Sequence, residues 1–98
     1  MTIMELAAEI RRRLEQDDLD GCYERECEIM RSVPQNEGEE AVLIGLCKSR
    51  LDSIVNNDYP ERAAEADEAR NALSRVLAGM AARTGVDPAA LVGGWWRN

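Results

Sequence analysis

Three thiols and a run of carboxylates come nearest to a chemical constellation in this chain. Cys22 and Cys27 stand at C-x4-C spacing and Cys47 follows twenty residues on, with no histidine anywhere among the 98 residues. Three thiolates without a fourth nitrogen or sulfur ligand make a poor tetrahedral zinc set. Lack of histidine also removes the Cys–His and Ser–His nucleophile pairs and the Glu-x-x-His ligands of di-iron bundles. The cysteines sit inside apolar stripes, where reduced thiols act as small hydrophobes, so buried free thiols are expected. No metal, no cofactor and no enzymatic activity are expected.

The carboxylates are the stronger signal, because they are unevenly spread. Residues 15–40 hold Glu15, Asp17, Asp18, Asp20, Glu24, Glu26, Glu28, Glu37, Glu39 and Glu40 against only Arg25 and Arg31, a local charge of −8. The whole chain carries −7, so the remaining residues are close to neutral. Acids at helix starts are favoured by the helix dipole, which accounts for Asp17, Asp18, Asp20, Glu37, Glu39 and Glu40. Glu24, Glu26 and Glu28 have no such reason. The segment is therefore a candidate anionic docking surface for a partner protein with a basic face. Near the other end, Trp95 and Trp96 are two of only four aromatic residues. If that stretch is extended, adjacent side chains point to opposite sides, so one fills the core and the other is available to a partner.

Helices must position all of these residues, since the apolar pattern has helical period throughout. Thr2 and Glu5 open a first helix with a capping box, on a stripe of Ile3, Leu6, Ala7, Ile10 and Leu14. Arg11, Arg12 and Arg13 read as solvated or snorkelling side chains. Asp17 or Asp18 caps a second helix whose buried side is Leu19, Tyr23, Cys27 and Met30, widened by Cys22 and Ile29, and Pro34 lies beyond its end. Asn36 with Glu39 caps a third. Its stripe of Leu43, Ile44, Cys47, Leu51, Ile54 and Val55 is the strongest in the chain and the predicted centre of the core. Asp58 and Glu61, with Pro60 in the first turn, open a fourth helix of about 25 residues, roughly 37 Å, ending at Thr84–Gly85. Its second half carries Leu73, Val76, Leu77 and Met80, whereas its first half offers only alanines. Those alanines either pack closely on a neighbouring helix or project beyond the core. Asp87 and Pro88 open a short fifth helix through Val92. The expected architecture is all-α, one domain over 1–98: an irregular bundle of four helices with a short C-terminal helical turn.

The stretch from Met80 to Trp96 resembles a DNA-binding helix-turn-helix segment. Ala81 and Gly85 stand at the inter-helix and turn positions, with Met80, Val86 and Leu91 at apolar ones. The would-be recognition helix, DPAALVGG, has no Arg, Lys, Asn or Gln to read base edges. The motif is therefore expected to be structural, with no direct binding of nucleic acid.

No apolar run reaches the length of a membrane span. The N-terminal segment, with Glu5 and Glu9, is not a signal peptide, so a cytoplasmic location is expected. In size, acidity and lack of catalytic groups the chain is similar to small acidic proteins of phages and mobile elements, some anti-CRISPR and anti-restriction proteins among them. That likeness implies an acidic face occupying a nucleic-acid-binding site. The expected function is non-catalytic: binding, and so regulating or inhibiting, a protein partner. A homodimer built on the alanines of helix 4 and the tryptophans is the alternative from another class.

Overall fold

Side-chain caps start the first three helices at the predicted places. Thr2 Oγ1 accepts from the Glu5 amide at 3.1 Å while Glu5 Oε1 accepts from the Thr2 amide at 3.1 Å, closing the capping box. Asp18 accepts from the Gly21 amide at 3.0 Å. A Cβ at position 21 would stand 2.3 Å from Asp18 Oδ2, so glycine leaves room for that cap. Asn36 accepts from the Glu39 amide at 2.9 Å. The computed structural model describes residues 1–86, and among them the chain forms four helices and no strand: α1 (Ile3–Glu15), α2 (Leu19–Arg31), α3 (Glu37–Asn56) and α4 (Arg62–Thr84). The fold is all-α. The predicted fifth helix, Trp95, Trp96 and Leu91 lie outside the described residues.

The start of α4 departs from expectation. Pro60 and Glu61 form a turn and the helix begins at Arg62, with no side-chain cap. Asp58 pairs with the Arg62 side chain at 3.2 Å instead of capping an amide. At the other end Gly85, at φ 72°, ends the helix in the left-handed conformation, with its amide donating to the Ala81 carbonyl at 2.9 Å.

Two hairpins, α1–α2 and α3–α4, pack on each other around Ile3, Leu6, Ile29, Met30, Leu43, Cys47, Ala69, Ala72 and Val76. Ala69 and Ala72 are fully buried, and the Ala69 carbonyl accepts from the Cys47 thiol at 3.7 Å. The alanines of α4 therefore bring its backbone against α3 where a larger side chain would hold it off.

Several stripes sit differently from the prediction. In α2 the buried side is Gly21, Cys22, Ile29 and Met30, while Leu19 and Tyr23 are exposed. The helix is turned because the Tyr23 hydroxyl reaches a carboxylate on α4 and holds the ring at the surface. In α3, Leu43 and Cys47 are buried as expected, but Ile44, Leu51 and Val55 are exposed. Glu39, Glu40 and Arg50 share the buried face in their place. Leu14 and Met80 are exposed because they lie near helix ends, beyond the facing hairpin's reach. Val86 is exposed too, so the apolar positions of the helix-turn-helix resemblance that are described, Met80 and Val86, are open rather than packed.

Two of the three consecutive arginines have a structural task, while Arg11 is exposed. Arg12 and Arg13 both pair with the buried Glu9, Arg13 Nε donating to its Oε1 at 2.8 Å. Arg13 also donates to Asp18 Oδ2 at 3.1 Å, tying the end of α1 to the cap of α2. Across the hairpins, the Arg75 guanidinium on α4 donates to the Met30 carbonyl, satisfying the C-terminal end of α2.

Candidate partner-binding surface

The ten acids of residues 15–40 separate into three groups. Asp20, Glu24 and Glu28 recur every fourth residue along α2 and are all exposed, so they form one ridge. Glu15 and Asp17 are exposed at the α1–α2 turn, beside the N-terminal end of that ridge, with Asp17 at φ 55°. Glu37 is exposed in the first turn of α3. Arg25, half-buried, lies 3.7 Å from Glu24 and 3.8 Å from Glu28, a loose and partial neutralisation.

The second group is committed to the fold. Asp18 holds the α2 cap; the Gly21 amide, then Arg13, keeps its carboxyl below the usual range. Glu39 and Glu40, placed on the docking surface by sequence, are 3% and 4% exposed and do not belong to it. Glu39 accepts from the Gln35 amide at 2.8 Å and from the Met4 amide at 3.4 Å, fastening the α2–α3 loop to the first turn of α1. Glu40 lies 2.6 Å from Arg83, joining the start of α3 to the end of α4. Their position in the first turn of a helix that begins against α1 and α4 is what turns them inward.

Glu26 makes the third group. It faces a cleft of about 400 Å³ with Tyr23, Arg50, Tyr59 and Glu65. Arg50, buried on α3, stacks over the Tyr23 ring at 4.9 Å and donates to Cys27 Sγ at 3.6 Å. Its guanidinium lies 3.7 Å from Glu65 and 4.0 Å from Glu26. Both phenols donate to Glu65, Tyr23 to Oε1 at 2.9 Å and Tyr59 to Oε2 at 2.5 Å. Burial pushes the Glu65 carboxyl up, but the two phenols and Arg50 outweigh it and hold it below the usual range. The same bond to Glu65, aided by burial, pushes the Tyr23 hydroxyl up to about 12, and Tyr59 is raised for the same reason. Glu26 is different: burial outweighs its distant pairing with Arg50, and its carboxyl is raised.

This cluster ties α2, α3, α4 and the α3–α4 loop together, and sequence reasoning missed it. The available signal was Arg50 itself, a permanent charge between Cys47, Leu51 and Ile54 on the most apolar helix. A guanidinium at such a place needs buried partners, and acids with phenols are the partners that suit it. The thiols do not act as a set. Cys22 and Cys47 are buried and bond to the Ile10 and Ala69 carbonyls respectively, while half-buried Cys27 faces Arg50. No helix among the described residues is long and apolar enough to cross a membrane.

What remains as a surface of one chemical character is the outer side of α2: anionic, exposed and backed by a hydrogen-bonded cluster on its inner side. Comparison of the chain with known protein families, with curated proteins and with solved structures finds no match.

Proposed function

We propose that the chain is a non-catalytic binding module that regulates or inhibits a protein by setting the Asp20–Glu24–Glu28 ridge against a basic surface. The observation that carries this reading is the position of Glu28. It lies in the last turn of α2, exposed, where the helix dipole disfavours negative charge, and one turn from Glu24, a like charge at i,i+4. Neither helix capping nor a close ion pair accounts for acids kept there, whereas complementarity to a basic partner does. The basic surface that fits best is one that ordinarily holds nucleic acid, since its lysines and arginines are arranged to meet a row of anions. Small inhibitors from phages and mobile elements occupy such sites, and this chain suits that role by size and charge.

The test compares wild-type protein with Glu24→Gln/Glu28→Gln as immobilised baits in an extract of the native host. A partner held by the wild type, lost from the variant and released between low and high salt supports the ridge. Displacement of that partner by added duplex DNA supports the nucleic-acid-site reading; indifference to DNA leaves a basic protein surface of another kind. Identical proteins on both baits would refute docking through the ridge.

A further inference from the structure

From the outer face of α3, which none of the described residues covers, we infer a second interaction surface, one that pairs with a second copy of this chain and lies apart from the acidic ridge. α3 is apolar on more than its inward side, with Lys48, Ser49, Asp52, Ser53 and Asn56 grouped on the remaining one. Leu43, Cys47 and half-buried Leu46 and Ile54 face inward, while Ile44, Leu51 and Val55 point out, 42%, 38% and 77% exposed. Ile44, Leu51 and Val55 stand at spacings of seven and four, with Lys48 between, so they form a single stripe. Met80 of α4 extends it, lining a common groove with Ala41 and Ile44.

Charge identifies the occupant. The protein carries −7 and its α2 ridge repels other copies, so self-association must use a face that is locally neutral. The stripe is such a face. At its Ala41 end the groove is flanked by Glu37 and by the Glu40–Arg83 pair; between Ile44 and Val55 the charges beside the stripe are Lys48 and Asp52, one turn apart and paired at 2.7 Å. They sit at the middle of the stripe. Antiparallel pairing of two α3 helices about a two-fold axis near Arg50 sets Lys48 of each copy against Asp52 of the other, and Ile44 against Val55. A two-fold interface needs that self-complementarity. From Ala41 to Val55 the stripe is roughly 21 Å long, which falls short of a standard interface and suits a weak, reversible dimer.

Light scattering and sedimentation of the full chain from about 10 µM to 1 mM test this. The mass is expected to rise from 10.9 kDa towards twice that value. Added salt should strengthen the dimer, because it screens repulsion between the ridges, whereas the same salt weakens docking of a basic partner to α2. The failure of one reading is thus distinguishable from the failure of the other. Val55→Lys, at a site too exposed to disturb the core, should abolish the rise while circular dichroism stays unchanged. Lys48→Glu should weaken the dimer, and adding Asp52→Lys should restore it. A monomer throughout the range overturns the proposal, as does a dimer indifferent to Val55→Lys. A monomer in which Val55→Cys is shielded from alkylation would assign the stripe to another part of the same chain, and that too overturns it.

Discussion

Glu26 shows how one carboxylate can be set against the stability of its own fold. Its carboxyl is raised because burial outweighs an ion pair with Arg50 that is 4.0 Å long. A raised folded-state value means that the folded protein holds the proton more tightly than the unfolded chain does. Stability associated with Glu26 is therefore present below the ordinary carboxylate value and is lost as pH rises through the higher folded one. At pH 7 the ionised group opposes folding, so Glu26→Gln should raise the melting temperature there. The gain should shrink towards zero as pH falls below about 4, where the wild-type group is protonated in both states. Thermal melts of both proteins at pH 4 and pH 7 check it, and a gain independent of pH would refute the assignment. The tyrosines bring the opposite end of the scale. Tyr23, with its hydroxyl up to about 12, contributes stability that is intact below pH 10 and disappears between pH 10 and about 12. Absorbance at 295 nm should follow phenol ionisation displaced to high pH for both Tyr23 and Tyr59. Glu65→Gln, which removes the charge both phenols donate to, should return the midpoints towards 10.

At the scale of elements, close approach of α4 to α3 rests on alanine. Ala69 and Ala72 are fully buried, and their lack of bulk lets Leu43, Cys47 and Val76 meet. Ala72→Leu adds three carbons at a site with no space and should cost about 2–3 kcal/mol, read as a shift in the denaturation midpoint. The same substitution at exposed Ala63 should have little effect. Much of this level was legible in advance. Thr2, Asp18, Asn36 and Gly85 mark helix ends through local chemistry that needs no tertiary knowledge, and each acts as its type implies. The exception, α4, starts late because Tyr59 engages Glu65 and Asp58 engages Arg62, contacts between side chains that a cap pattern does not encode. The faces of α2 and α3 were harder to read for a related reason. Periodicity ranks apolar residues without knowing where polar ones will be satisfied. The Glu40–Arg83 and Arg50–Glu65 pairs bring charge inside and displace Ile44 and Leu51 outward. Four of the ten candidate acids, Asp18, Glu26, Glu39 and Glu40, face contacts within the fold that periodicity does not encode, while Asp20, Glu24 and Glu28 are exposed on α2.

For the molecule as a whole, the governing feature is thinness. The Cα atoms span 46 × 31 × 15 Å, about the depth of two packed helices. In a slab of that depth every helix has an outer side, so the outer sides of α2 and α3 are both available, and their characters are opposite. That of α2 is acidic and that of α3 apolar, with its central charges paired. On the ridge of α2, stability and binding are coupled. Glu24 and Glu28 repel each other at i,i+4, Glu28 opposes the dipole of α2, and Arg25 compensates only at 3.7 Å and 3.8 Å. Replacing both with glutamine should leave the fold intact and raise stability by a few tenths of a kcal/mol, measured by denaturant titration. The same variant should lose its partner at moderate salt and bind it more slowly at low salt, since long-range attraction acts on association rates first. If the double variant instead loses stability, the acids are structural and the outer side of α2 is ordinary solvated surface. If it gains stability and loses binding, the chain keeps two unfavourable charges for the sake of a surface it presents to another protein.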